Sequence, residues 1–254
     1  MRTLNPISIC GFIILFLLAP ALHAGPSNSL RKGPKVKSAR ARKITHSSIT
    51  LSAAYKEEVS CLYNEIALDS VGLSKEAFEY AYRGYLYLNQ HHLLNRNNII
   101  SICDFSQSSR NKRLYIIDME QKKVLINTFV AHGRGSGSEY AHRFSNNTRS
   151  HKSSLGFYVT DHTYYGDHGL ALRIHGLERG FNDRASGRSI VVHGSHYVGE
   201  DFVRMNRFNG RSFGCPAVPF EETEEIIEAI KDGSCLFIYH PTKKYLVKSK
   251  ILNS

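Results

Sequence analysis

The stretch Val191-Val192-His193-Gly194-Ser195-His196, followed after a basic loop by Arg211-Ser212-Phe213-Gly214-Cys215-Pro216-Ala217-Val218-Pro219, decides how the rest of the chain is read. The β-branched run at 190–192 predicts a buried strand that ends on a histidine. Pro216 and Pro219 argue against a regular ladder, so Cys215 is expected on an exposed, fixed turn. Gly214 lets the backbone come close to a substrate and leaves N–H groups beside the sulfur. A thiol with an imidazole in reach and main-chain donors around it is the minimum that acyl transfer needs. Singly these residues say little, since a lone cysteine is most often a small buried hydrophobe. A strand-ending His-Gly followed by Ser-x-Gly-Cys is a much rarer pairing.

That pairing resembles the active-site signature of the L,D-transpeptidases, cysteine enzymes that cross-link bacterial peptidoglycan. The branch it is most similar to has Pro-Ala after Ser-x-Gly-Cys. The resemblance runs from Asp104 to Tyr239 and takes in Val130-Ala131-His132-Gly133-Arg134-Gly135-Ser136-Gly137 and Ser153-Ser154-Leu155-Gly156-Phe157-Tyr158. It implies a β-rich catalytic domain, Cys215 as nucleophile, His193 as the proton carrier, peptidoglycan stem peptides as substrate, and no metal or organic cofactor. Many members place a histidine between the serine and the glycine. Phe213 stands there in this chain, which throws more weight on His193.

A chain of 254 residues with 42% apolar residues can bury one substantial core and a small helical addition. Arg2, the apolar run at 7–18 and the small residues of Ala19-Pro20-Ala21 and Leu22-His23-Ala24 predict a secretory signal over residues 1–24, with export to the periplasm or cell envelope. The run is too short to make a membrane span, and an uncleaved anchor is the alternative reading. The formal charge is +11, but seven basic residues and no acid fall within 31–43, and these with Arg2 account for eight of the net charges. The excess therefore belongs to a solvated, disordered basic tail over residues 25–50 rather than to a folded face. This argues against a nucleic-acid partner and makes anionic envelope polymers the tail's expected partner.

Beyond the leader the cysteines are Cys61, Cys103, Cys215 and Cys235. An even count in an exported protein suggests bridges, yet a working Cys215 is free and leaves an odd number. Cys103 and Cys235 both fall in strand-like runs, and a bridge between them stays open because their separation cannot be read from sequence.

Apolar spacing predicts helices over 52–68 and, capped by Ser74, over 74–89, together a helical buttress at 51–98. The aromatic residues of the second helix read as packing against the following sheet rather than as a sugar-stacking surface. From Ile99 the period changes, with strands at 114–119, 124–130, 156–160, 170–174, 189–192 and 236–239 and helices at 200–206 and 221–231. The expected catalytic domain, 99–254, is mostly β: a mixed sheet or partly closed barrel. The glycine-rich 132–137 lacks the Lys-Ser/Thr and helix of a phosphate-binding loop. The polar loop that follows, with His142, Arg143, Arg149 and His151, reads as substrate-facing.

Around the thiol, the amides of Gly214 and Cys215 are the expected oxyanion donors and Ser212 the residue that shapes the turn. Arg211, with Arg204 and Arg207 as further candidates, is expected to hold a substrate carboxylate. His196 is a candidate substrate contact. His175, at the end of a similar strand, lines the same cleft or is a plain core or surface histidine. Three other readings compete: hydrolysis by the same Cys-His pair, giving an L,D-carboxypeptidase; a zinc hydrolase using His193, His196, His175 and Cys215, for which no His-Glu-x-x-His exists; and a non-catalytic wall-binding module.

Overall fold

Six consecutive buried residues, Ile99–Asp104, form β1, a strand covered on both faces from which the sheet extends in two directions. In the computed structural model, which describes residues 47–254 with His168 excepted, β1 pairs antiparallel with β2 (Leu114–Asp118), and β2 with β3 (Lys123–Thr128). On its other side β1 runs parallel to β8 (Cys235–Tyr239). Beyond β8 come β4 (Gly156–Gly166), β5 (Gly169–Gly176), β6 (Val191–Ser195) and the edge strand β7 (Ala217–Pro219), so that the order is β3-β2-β1-β8-β4-β5-β6-β7. The β1–β8 and β6–β7 pairs are parallel and the others antiparallel. The expected mostly-β domain is thus an open mixed sheet of eight strands among the described residues. It is not a closed barrel, although the chain leaving β3 crosses to the opposite edge, where Ala131 bridges Ala217 and Gly133 bridges Ser212.

Helices α1 (Ser47–Glu65) and α2 (Lys75–Gln90) occupy the expected buttress. The Ala77 amide donates to Ser74 Oγ at 3.2 Å, capping α2. Its buried stripe of Ala77, Phe78, Ala81, Tyr82, Tyr85 and Leu88 recurs every three or four residues, the pattern that turns one helix face to a core. Phe78, Tyr82 and Tyr85 stack on one another with centroids 5.8 and 6.0 Å apart, and Tyr80 stacks on Tyr239 of β8 at 6.0 Å. The aromatic density of α2 is packing.

Four features depart from the expectations. β4 runs six residues past Thr160, because a one-residue bulge between Thr160 and Thr163 absorbs the polar Asp161-His162 pair without ending the ladder with β5. β7 exists despite Pro216 and Pro219: it is three residues long and lies at the sheet edge, where a missing N–H costs no ladder bond. The helix expected at 200–206 is α3 (Glu200–Met205), between β6 and β7, whereas the one expected at 221–231 opens as a single 3-10 turn, Phe220–Glu222, before α4 (Thr223–Ile230). An unforeseen C-terminal helix, α5 (Lys243–Lys248), is latched to the sheet by buried Glu178, whose carboxylate accepts from the Phe157 amide (2.9 Å) and the hydroxyls of Tyr245 (2.7 Å) and Ser249.

The register of β1 on β8 settles the cysteine question. Cys103 lies opposite Ile238 and Cys235 opposite Ile100. That three-residue offset places the two roughly 10 Å apart along the strands, beyond disulfide reach. Cys61, Cys103, Cys215 and Cys235 are all free thiols. The predicted signal segment and the basic run at 31–43 lie outside the described residues, and α1 begins at Ser47, inside the stretch assigned to the tail. No helix among the described residues is long and apolar enough to cross a membrane.

Where α2 meets β4, Gly84 leaves no room for a side chain: a Cβ there would come within 1.9 Å of Cζ of the fully buried Phe157. Alanine is intrinsically the better helix former by about 1 kcal/mol, but a clash with a packed ring costs about 1–3 kcal/mol. Urea unfolding of Gly84→Ala is expected to show a net loss of stability; a raised midpoint at unchanged slope would contradict this packing.

Candidate active site

His193 lies in β6 opposite Ala171 of β5 on one side and Ala217 of β7 on the other. Its side chain is buried, and its Nδ1 is 2.9 Å from the Gly194 carbonyl. A carbonyl only accepts, so Nδ1 carries the proton and the neutral ring has its lone pair on Nε2. The glycine after it is forced by packing, since a Cβ on Gly194 would meet Thr223 Oγ1 at 2.1 Å where α4 begins.

Cys215 sits two residues before Ala217, on the turn that enters β7. Gly214 has φ of +130°, a region that L side chains rarely adopt, and its α-carbon faces Lys152 O, Arg188 Nη2 and Ile190 Cδ1, which would lie 2.9–3.1 Å from any Cβ. Ser212 closes the turn: the Gly214 amide donates to Ser212 Oγ (3.0 Å), and that hydroxyl donates to the Cys215 carbonyl (2.6 Å). Ser212 therefore shapes the turn as expected, while one of the two amides expected to face an oxyanion is bonded to it. The segment before the turn is folded back by Asn209, whose Oδ1 accepts from the Gly199 amide (2.9 Å), and by Gly210, which packs under the Tyr197 ring.

Half-buried Cys215 and buried His193 line one cleft of about 620 Å³, together with Arg211, Arg188, Tyr197 and, from the β4–β5 hairpin, Tyr164 and Asp167. The thiol donates to the Ser189 carbonyl (3.7 Å), presented by a left-handed residue (φ +55°) at the end of the 3-10 turn Ser186–Arg188. Burial pushes the Cys215 thiol up from its ordinary pKa, opposed by the Val191 amide and the Arg188 guanidinium.

Arg188 went unnoticed in the sequence because it belongs to no motif. Its guanidinium donates to the carbonyls of Ser145 (2.9 Å) and Lys152 (2.6 Å) and to Ser154 Oγ, pinning the polar loop beneath the Gly214 turn. That loop was expected to face the substrate. None of residues 138–153 lines the cleft; they form its support.

The other sequence candidates are dispersed. His175 lies four residues beyond Ala171 on β5, roughly 13 Å along the strand, and bonds Asp161 Oδ2 (2.7 Å) and Ser186 Oγ (3.0 Å). His196 is exposed, its ring 4.1 Å from that of Phe220 and its Nδ1 3.8 Å from Glu221 Oε1. Neither lines the Cys215 cleft. The four residues of the zinc reading are thus not gathered, and no group of three or more His, Cys, Asp or Glu among the described residues is placed to hold a metal. Arg204 pairs with Asp201 on α3. Phe213 is exposed and sandwiched, with Arg134 4.4 Å above its ring and His151 4.7 Å away edge-on.

Because burial outweighs the groups that favour the thiolate, alkylation of Cys215 should accelerate with pH along a curve whose midpoint lies above that of an ordinary cysteine. Arg188→Gln removes a nearby positive charge, so its midpoint is expected to move higher still. Peptide-resolved mass spectrometry after iodoacetamide pulses separates Cys215 from exposed Cys61. A midpoint below the ordinary thiol value would instead reveal a preformed thiolate–imidazolium pair.

Comparison with known proteins bears on what this cleft belongs to. The family model described as L,D-transpeptidase catalytic domain matches residues 69–239, more than half of the chain. No curated protein sequence shows a significant match. Solved structures similar to the chain include an L,D-transpeptidase from Mycobacterium smegmatis (10% identity, TM-score 0.34, covering 56% of this chain and 59% of that one). L,D-transpeptidase 3 from Mycobacterium tuberculosis is also similar (13%, 0.33, 56% and 61%), as is a mutant L,D-transpeptidase from Enterococcus faecium (13%, 0.32, 56% and 50%). The chain thus spans less than two thirds of the length of each. On the strength of the domain match, which contains both His193 and Cys215, this chain belongs to the L,D-transpeptidase catalytic domain family.

Proposed function

We propose that the protein is a cysteine acyltransferase that cross-links peptidoglycan stem peptides. The observation that carries this reading is the convergence on one cleft of His193, from β6, and Cys215, from the turn that enters the adjoining edge strand β7. Sγ of Cys215 attacks the carbonyl of the amide after the third stem residue, and His193 Nε2 takes the thiol proton as the C–S bond forms. The raised thiol pKa suits this timing, in which the proton leaves during attack rather than beforehand. The Cys215 amide is the proposed donor to the tetrahedral oxygen, joined by the Gly214 amide if substrate draws it from Ser212. When the intermediate collapses, the C–N bond breaks and His193 returns the proton to the departing D-Ala amine, leaving a thioester on Cys215.

A neighbouring stem's amine then attacks the thioester, His193 accepts one of its protons, and the cysteine sulfur leaves and is reprotonated. Arg211, at the rim of the cleft, is proposed to hold a stem carboxylate. The proposed site of action is the cell envelope, which the N-terminal leader pattern supports.

Two measurements test this reading. Intact-protein mass spectrometry with a carbapenem should show an adduct of the whole drug, since ring opening expels no leaving group, and Cys215→Ala should show none. With a tetrapeptide donor and an amine-bearing acceptor stem, cross-linked product is expected, and Cys215→Ala and His193→Ala should each lose at least about 10³-fold in rate. If tripeptide is the sole product, water is the acceptor and the enzyme is a carboxypeptidase instead.

A further inference from the structure

We infer that a groove sharing Arg211 with the Cys215 cleft is a carboxylate-binding subsite, in which Arg134, Arg207 and Arg211 hold the anionic part of a stem peptide whose reacting end lies at the thiol. The inference rests on the transpeptidase reading and adds to it a place for the remainder of the substrate. The groove, of about 350 Å³, is lined by these three arginines with Phe202, Phe208 and Asn206, and by no Asp or Glu. Arg211 lines both the groove and the Cys215 cleft, so one guanidinium joins the two spaces.

Two of the three cations are held in place by partners other than carboxylates. Arg134 donates from Nε to His151 Nδ1 (3.1 Å), and its Cζ lies 4.4 Å from the centre of the Phe213 ring. Arg211 donates from Nη1 to the Gly137 carbonyl (3.2 Å) and sits 5.8 Å from the Phe208 ring. These contacts orient the guanidinium planes without cancelling their charge. Among the described residues none of the three has a carboxylate partner, whereas Arg83 and Arg204 each do. Three like charges around one depression repel one another across distances that salt screens only in part, and an anion placed between them relieves that repulsion.

Carboxylate is the favoured ligand chemistry because a guanidinium fork matches its two oxygens, and the phenyl walls suit the short aliphatic segments between the charges of a peptide. Phe213 is central to the arrangement. Its exposed ring serves as the platform for Arg134.

The test separates this inference from the reading beneath it. Full-length Cys215→Ala, which cannot turn over, is titrated with a synthetic tetrapeptide stem bearing free carboxylates and with the same peptide amidated at those carboxylates. The free form is expected to bind about tenfold or more tightly. That advantage should shrink as salt rises, should largely vanish in Arg134→Gln and Arg207→Gln backgrounds, and should return in part with lysine at either position. Equal affinity for the two peptides, or an advantage that survives both substitutions, overturns the subsite. Two-substrate kinetics on the otherwise native enzyme tell the two sources of carboxylate apart: amidation raises the KM of whichever peptide, donor or acceptor, occupies the groove, and Arg207→Gln removes that difference for it alone. Carbapenem acylation of Cys215 reports on the reactive thiol by itself, so an unreactive enzyme would sink the transpeptidase reading while the titration still judged the groove.

Discussion

Everything around the thiol depends on how closely two stretches of backbone approach at Gly214. Its α-carbon is packed against Lys152 O and the Arg188 guanidinium, and a Cβ on Gly133 would meet the Gly214 α-carbon at 2.8 Å. Those contacts leave no volume for a side chain at either glycine, and the φ of +130° at Gly214 excludes one independently. Arg188 then converts proximity into rigidity. By donating to carbonyls at both ends of the 145–152 segment, it makes a long polar loop behave as part of the wall behind the turn. A turn fixed in this way can present a cysteine with little conformational freedom to lose when substrate arrives.

The same packing explains the electrostatic character of the site. A thiol placed against a sheet edge and a loop wall is partly withdrawn from water, so its charged form is disfavoured. Arg188 opposes this, but its charge is already shared among carbonyl partners, and the net effect is a raised pKa. In a hydrolytic thiol protease a preformed thiolate would be an advantage. Under the acyl-transfer reading proposed above, a neutral resting thiol is compatible with function because its proton leaves during attack rather than beforehand. The Nδ1–H orientation of His193, set by the Gly194 carbonyl, puts the lone pair of the neutral ring on Nε2.

How much of this was legible in the chain depended on whether the physics was local. β6, the His-Gly pair and the Ser-x-Gly-Cys turn were readable because β-branched periodicity, a strand end and a proline-bounded glycine are properties of a few adjacent residues. The α2 stripe was readable for the same reason. The β4–β5 hairpin was truncated because Asp161 and His162 look like a break in alternation; only the partner strand turns that break into a bulge, and the lost residues include Tyr164, which lines the cleft. β7 was discounted because the restriction on proline is absolute in a sheet centre and relaxed at an edge, and position in the sheet is not a local property. His175 was read either as lining the cleft, from its resemblance to the His193 strand, or as a plain core or surface histidine; the register of β5 on β6 and its bond to Asp161 place it with the second. Arg188, Glu178 and α5 had no signal at all, since each acts through residues far along the chain.

The basic residues show the same division at the level of charge. Net charge pointed to the N-terminal run as the place where cations accumulate, and by count that is correct. Yet a count does not distinguish cations that water solvates from cations that backbone and aromatic neighbours hold in place. Arg134 comes from the glycine-rich turn after β3, Arg207 and Arg211 from the segment that returns to the sheet edge, and the bridge between Gly133 and Ser212 is what brings the two segments together. That bridge lies one residue from Arg134 and one from Arg211, and the Arg134 amide donates to the Ser212 carbonyl at 2.8 Å. The contact that closes the turn around Cys215 therefore also spaces the arginines, so a change that loosened the turn would disperse the charge at the same time.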